Sequence, residues 1–175
     1  MGNPGRELGS NDSMALQLDQ FGEGSPPAIF VHGSGRAGAA AWPRQTRLSG
    51  RRLMFVHLRG FGQAEPAAGF DYETDVHDLF DLLRETEPSH LVGASYGAVS
   101  ALMAAMGSEA SVVSLTLVEP VLLSIARGNV AVEELVAKTK HAVAARSLEE
   151  FEGRLAEGIG FTDEEAVDRG GSPLA

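Results

Sequence analysis

The stretch LVGASYGAVS, residues 91–100, places a serine between two glycines. Ser95 follows an apolar run that predicts a buried strand and precedes an apolar run that predicts a buried helix. A sharp turn between them would push the hydroxyl outward, where the helix N-terminus adds positive potential. Gly93 and Gly97 would remove Cβ atoms that clash at such a turn. The pattern predicts a nucleophilic serine, and a small residue in a tight turn is the alternative.

A nucleophilic serine needs hydrogen-bond donors for the negative charge that develops on the substrate oxygen. We expect the backbone N–H of Tyr96 to be one donor, because it directly follows the serine. The second is expected from the glycine loop that opens with the residues FVHGSG. In that loop Ser34 follows His32 and Gly33, and its backbone N–H is the predicted donor.

The elements that must position these residues alternate along the chain. Residues 14–22 alternate apolar and polar positions, which predicts a half-exposed strand. A helix is predicted from Asp71 to Pro88, with an apolar stripe at helical spacing, and a weak helix within 39–48. A second strong helix, over 96–107, is apolar nearly all round and should be buried. Buried strands are predicted within 28–31, 53–58, 90–94 and 112–120.

Buried apolar strands that alternate with helices indicate an α/β fold, a mostly parallel sheet with helices on both faces. We divide the chain into a disordered lead over residues 1–13, an α/β core over 14–125 and a helical, cap-like segment over 126–175. Beyond Pro120 the sequence shows helical spacing and many acids, and it offers no convincing strand.

Composition restricts the function classes. The 175 residues carry a net charge of −10, which argues against a basic nucleic-acid-binding surface. The absence of cysteine excludes disulfides, thiolate metal sites and a cysteine nucleophile. No apolar run approaches the roughly 20 residues of a membrane span, and residues 1–13 lack the apolar core of a secretory signal. We therefore expect a cytosolic protein with no membrane or nucleic-acid partner.

Several motifs together resemble the α/β-hydrolase family of single-domain serine hydrolases. IFVHGSG resembles the family's oxyanion motif, VHLRGFGQAE its D-x-R-G-x-G-x-S motif, LVGASYGA its nucleophile elbow and LTLVEP the strand before its cap. The resemblance implies an ester, thioester or related acyl substrate, an acyl-enzyme, and no metal or cofactor. His57 stands where the family usually has Asp, and Gln63-Ala64 stands near its usual Ser.

The resemblance also implies an acid after a later strand and a histidine near the C-terminus. Glu119 follows the last predicted strand and is the candidate acid. Asp163 and Asp168 are interpreted instead as charges in a first helical turn that Thr162 caps. Four histidines precede the serine, and His141 lies in a predicted cap helix, where a solvated residue is the simpler interpretation.

No counterpart of the family's last strands and histidine loop is found in this sequence. We therefore interpret the chain as a C-terminally truncated hydrolase, inactive if nothing replaces the histidine. A parallel sheet without its last strands would expose an edge of unpaired N–H and C=O groups. The expected partners are a small acyl substrate and, through that edge, a second copy of the chain.

Two alternatives stay open. Gly33 to Gly38 matches the G-x-G-x-x-G pattern of a dinucleotide-binding fold, and Arg59 could bind a 2′-phosphate. That interpretation leaves the serine turn unexplained. The other alternative is a non-catalytic α/β domain that binds a ligand or a partner protein, which the missing histidine favours.

Overall fold

A computed structural model of the chain describes residues 16–61, 64, 72–144, 150 and 153–154. The chain divides into two units, Met1–Val121 and Leu122–Ala175. The first unit contains a five-stranded sheet in the order β1-β3-β2-β4-β5. Strand β1 is antiparallel to β3, and all other pairs are parallel. The strands are β1 (Gln17–Phe21), β2 (Ala28–Val31), β3 (Leu53–His57), β4 (Ser89–Ala94) and β5 (Val112–Val118).

This strand order creates a switch point between β2 and β4. The chain leaves β2 toward β3 on one side of it, whereas β4 and β5 lie on the other side. In open α/β sheets, connections that diverge in this way leave a crevice at the carboxyl ends of the two central strands. The loop after β2 and the turn after β4 both end at that crevice, which brings the two predicted oxyanion segments to one place.

Two α-helices, α1 (Tyr72–Glu85) and α2 (Tyr96–Gly107), pack against one face of the sheet. Three leucines of α1 lie on its buried side, where they remove apolar area from water. The predicted helix is thereby confirmed, although its predicted cap, Asp71, lies outside the described residues. The core of this face consists of Leu16, Ile29, Val31, Met54, Val56, Leu58, Leu79, Leu82, Leu83, Leu91, Ala101, Ala104 and Ala105.

The opposite face is covered by short 3-10 helices rather than by the weak helix expected over 39–48. They span Gly38–Ala41 and Gln45–Arg47. Pro43 lies between them and has no N–H, so a continuous α-helical ladder cannot pass through it. The neighbouring Trp42 packs on Phe30 with ring centroids 5.2 Å apart, and this contact anchors the segment.

Two predictions of burial are wrong. Strand β5 was expected to be buried, yet Val113 is 51% exposed. Helix α2 was also expected to be buried all round, yet Met106 is 66% exposed. Among the described strands, β5 pairs only with β4, so no further strand covers its outer side. Both elements thus carry apolar side chains that the other described residues do not cover.

The second unit contains a 3-10 helix, Leu123–Ala126, and helix α3 (Val130–Val143). Asn129 begins α3 by accepting a hydrogen bond from the Ala131 N–H at 3.0 Å, as an N-cap side chain does. The helical spacing expected in this part of the chain is confirmed over α3. Across the described residues, none of the helices combines the length and apolar character that crossing a bilayer requires.

Candidate active site

Ser95 occupies the turn between β4 and α2 with φ 52° and ψ −118°. A positive φ is rare for a residue with a side chain, and it persists only where surrounding contacts enforce it. Here the Ser95 N–H donates to the carbonyl oxygen of Val118 at 2.9 Å, which ties the turn to the end of β5. The hydroxyl does not cap helix α2. The predicted sharp turn is therefore present, and it leaves the serine oxygen free of a helix-capping role.

The glycines around Ser95 are required by close packing. A Cβ at Gly93 would lie 2.6 Å from the Cα of Ala98, so β4 and α2 meet without room for a side chain. A Cβ at Gly97 would lie 2.1 Å from the backbone oxygen of His32. The sequence interpretation of Gly93 is confirmed. Gly97 is also required by close packing, but its contact is with the end of β2 rather than with β4.

The loop after β2 lies against the serine. A Cβ built on Gly33 would be 3.0 Å from Ser95 Cβ and 3.7 Å from Ser95 Oγ. The residues whose amides were predicted as donors, Ser34 and Tyr96, directly follow these two residues in the chain. Both are half-buried. The fold thus brings the two segments together, as the motif order predicted.

His32 is a buried structural residue rather than a base. Its Nε2 lies 3.2 Å from the Leu58 N–H and accepts that hydrogen bond. The proton must then be on Nδ1, which donates to the Gly33 carbonyl oxygen at 2.6 Å. Burial lowers the pKa of His32 to about 4, because the charged ring would lose its hydration. The neutral ring links the loop after β2 to the loop after β3, where Phe61 packs on it.

Buried carboxylates of helix α1 hold the start of α2 and the loop after β3, and the sequence analysis missed these contacts. The Tyr96 hydroxyl donates to Asp75 Oδ2 at 2.6 Å. Arg59 Nε and Nη2 donate to the two oxygens of Asp78 at 2.5 and 2.9 Å. The sequence held a signal for these contacts. Asp75 and Asp78 are three residues apart, on the face of α1 that also carries Leu79. An acid among buried apolar positions needs a partner.

These contacts weaken the dinucleotide alternative. Arg59, the side chain expected to bind a 2′-phosphate, is engaged with Asp78 in a fork-shaped ion pair. The loop from Gly33 to Gly38 leads into a 3-10 helix of four residues, Gly38–Ala41. An α-helix N-terminus that could bind a pyrophosphate therefore does not follow this loop.

His57, which departs from the family's pattern, pairs with a residue of the neighbouring strand. Its Nε2 lies 2.9 Å from Asp19 Oδ2 of β1. The same carboxylate oxygen accepts a hydrogen bond from the Ala39 N–H at 2.7 Å. The departure therefore comes with an acid on an adjacent strand that the motif comparison did not reveal.

The candidate acid Glu119 directly follows β5, the strand next to the one that leads to the serine. Register pairs Ala94 with Val118, so Ser95 and Glu119 each follow a residue of this last pair, at the carboxyl ends of β4 and β5. Glu119 also has a positive φ, 47°. Asp163 and Asp168 lie outside the described residues, as does Gln63.

The described histidines do not supply a base to the serine. His77 is exposed on α1, and His141 lies on α3 of the second unit. His90 is at the start of β4, at the opposite end from Ser95, where its Nδ1 lies 2.7 Å from Ser114 Oγ. Within the described part of the chain, no side chain forms a hydrogen bond with Ser95 Oγ, and no cluster of three His, Asp or Glu side chains could hold a metal ion.

Comparison with known proteins gives the family. A model of the alpha/beta hydrolase family matches residues 28–172. The chain is similar to a solved haloalkane dehalogenase from Agrobacterium tumefaciens, with 27% identity, 83% of this chain covered and a TM-score of 0.59. It also shares its fold with a thermophilic esterase from Thermogutta terrifontis, with 23% identity, 82% of this chain covered and a TM-score of 0.62. It spans 50% and 52% of these two proteins. A search of curated proteins finds no match.

Proposed function

Because this chain belongs to the alpha/beta hydrolase family, we propose that it is a serine hydrolase of ester, thioester or related acyl substrates. The observation that carries the proposal is the conformation of Ser95, with φ 52° at the junction of β4 and α2. Strain of this kind is concentrated at functional sites, because selection for stability alone would remove it. The proximity of Gly33 to Ser95 supports the same assignment, since it places the loop that contains the Ser34 amide near the hydroxyl.

The proposed mechanism is nucleophilic. Ser95 Oγ attacks the acyl carbon, and the carbonyl oxygen takes up negative charge against the backbone N–H groups of Ser34 and Tyr96. The alcohol or thiol leaves, and water then hydrolyses the acyl-enzyme. Donors fixed in advance stabilise the oxyanion at no cost in reorganisation; loss of one typically slows such a reaction about 10²- to 10³-fold.

A base must remove the hydroxyl proton, and an acid must orient that base. Glu119 is the proposed acid, because it and Ser95 directly follow the carboxyl ends of two paired strands. His32 is unsuitable as the base, because it is buried and both its ring nitrogens are already hydrogen-bonded. All five histidines of the sequence lie in the described residues, and none of them forms a hydrogen bond with Ser95 Oγ, so the proposed base is not one of them.

The residue at position 95 also favours acyl chemistry over the dehalogenation named for one of the similar structures. Displacement at a saturated carbon bearing a halide suits a carboxylate nucleophile, whose ester can afterwards be hydrolysed. Ser95 has a hydroxyl instead, which suits attack on a carbonyl carbon. A non-catalytic ligand-binding domain is the second candidate, favoured by the lack of a described base at Ser95 Oγ.

A fluorophosphonate probe tests the proposal directly. The wild-type protein should form a covalent adduct that peptide mapping locates at Ser95, and Ser95→Ala should abolish it. Ser114→Ala is the matched control, because Ser114 is the serine that hydrogen-bonds a histidine elsewhere on the sheet. A folded wild-type sample that stays unlabelled at Ser95 would favour the binding-domain candidate, and labelling lost in Ser114→Ala would identify a different nucleophile.

A further inference from the structure

The carboxylate of Asp19 and the imidazole of His57 form a pair next to the C-terminal end of the loop after β2. Asp19 Oδ2 accepts the Ala39 N–H at 2.7 Å and lies 2.9 Å from His57 Nε2. Since an ionised carboxylate only accepts, Nε2 must carry the proton that it donates. His57 is 8% exposed, so its ring is shielded from water. One oxygen of Asp19 thus joins three segments: β1, the end of β3 and the 3-10 helix that follows the loop.

Gly38 lies directly on this pair. A Cβ at this position would be 2.1 Å from His57 Nε2 and 2.3 Å from Asp19 Oδ2, and the residue has a φ of +52°. Any other residue at position 38 would displace the pair or the backbone. The end of the loop therefore rests on Asp19 and His57 without an intervening side chain.

The loop is held at its other end by His32. The Nδ1–H of His32 donates to the Gly33 carbonyl oxygen at 2.6 Å, while Nε2 accepts from Leu58. Ser34 thus lies in a short segment, residues 34–37, between two fixed points. A short segment fixed at both ends has few conformations available, so a backbone N–H within it keeps its direction.

We propose that Asp19 and His57 are positioning residues that fix the Ser34 amide toward Ser95; this role rests on the proposed function. Neither side chain touches the reacting atoms. Their effect passes through Gly38 and Ala39 to the loop. His57 stands at a position where the α/β-hydrolase family usually has Asp. In this chain the acid is Asp19 on β1, and the His57 imidazole connects it to β3.

Two substitutions distinguish the hydrogen bond that His57 donates from the space that its side chain fills. His57→Leu removes the donor while it keeps apolar volume, and His57→Gln retains an N–H donor at similar reach. In His57→Leu we expect the Ala39 amide to exchange about tenfold faster or more, since a charge-assisted hydrogen bond network is loosened. The backbone order parameters of residues 34–37 should fall from about 0.85 toward about 0.6. His57→Gln should stay near wild type in both. Asp19→Ala, which removes the shared acceptor oxygen, serves if His57→Leu does not fold.

The same variants are compared in their rate of fluorophosphonate labelling at Ser95. We expect His57→Leu to label about tenfold more slowly or worse and His57→Gln to recover most of the rate, which a loss of stability alone would not produce. His77→Leu is the matched control, because His77 is exposed beside Asp81 on α1. If His57→Leu or Asp19→Ala folds and leaves both Ala39 exchange and loop order unchanged, the positioning role is wrong. If the wild type does not label, the proposed function fails, and the exchange and order measurements still decide whether the pair fixes the loop.

Discussion

The close approach of helix α2 to strand β2 makes Gly97→Ala the sharpest test of the site's geometry. The added Cβ would meet the His32 backbone oxygen at 2.1 Å, whereas ordinary contact begins at 3.4 Å. The start of α2 must therefore move by about 1.3 Å, because the opposing atoms belong to the backbone of β2 and its loop and cannot rotate away. The movement would carry Ser95 with it.

The expected loss of stability follows from this overlap. Overpacking costs about 1–3 kcal/mol, and we take the upper end because the obstruction is backbone. The better helix propensity of alanine returns at most about 1 kcal/mol. The net loss is about 2 kcal/mol, which in a chain of this size lowers the melting temperature by about 4–8 °C. A displacement of about 1 Å at the nucleophile can slow the reaction about 100-fold.

Urea unfolding and the rate of fluorophosphonate labelling at Ser95 measure the two effects. Gly35→Ala is the matched control, because a Cβ there has nothing within 4 Å. It should change the free energy of unfolding by less than about 0.5 kcal/mol. A Gly97→Ala protein with the stability of the control would refute the packing argument. One that is destabilised but labels at the wild-type rate would refute the link between that contact and the position of Ser95.

Three further results are expected. Tyr96→Phe removes a donor from buried Asp75 and should lower the free energy of unfolding by about 1.5 kcal/mol in urea titrations; no change would mean that the 2.6 Å contact is unimportant. Burial lowers the pKa of His32 from its usual 6.5 to about 4, so as the pH falls below 6.5 the unfolded chain takes up a proton that the folded chain resists. The stability advantage of wild type over His32→Gln should therefore shrink by up to about 3 kcal/mol between pH 6.5 and 4, and a constant gap would contradict the assignment. Val113→Lys on the exposed edge strand should shift concentrated protein toward monomer in sedimentation velocity, because charge on an edge opposes strand pairing; an unchanged distribution would argue against association through β5.

The contacts of helix α1 suggest how the site keeps its shape. The Asp75–Tyr96 and Asp78–Arg59 contacts connect α1 to the residue after the serine and to the loop after β3. Each carboxylate is buried, so removal of a partner leaves a charge with fewer donors in a place that water cannot easily reach. The helix therefore supports the site through polar contacts in addition to its apolar packing.

Local features of the site could be predicted from the sequence because they depend on neighbouring residues. The turn at Ser95 follows from an apolar strand, a glycine on each side and an apolar helix, all within 91–107. Gly93 could be assigned because close packing between a strand and the helix that follows it is a local requirement, whereas the contact of Gly97 with His32 joins remote segments. The parallel α/β architecture follows similarly from the alternation of apolar segments.

Other features depended on the tertiary structure, because they join segments that are far apart in the chain. The pairing of His57 with Asp19 depends on the antiparallel register of β1 and β3, and hydrophobic periodicity does not specify which strands become neighbours. The exposure of Val113 likewise depends on the place of β5 at the edge of the sheet, since an apolar strand has the same sequence pattern at an edge as in the centre. The residue types at the site were thus determined by the sequence alone. Their partners were decided by strand order and register, which fix the distances between remote side chains.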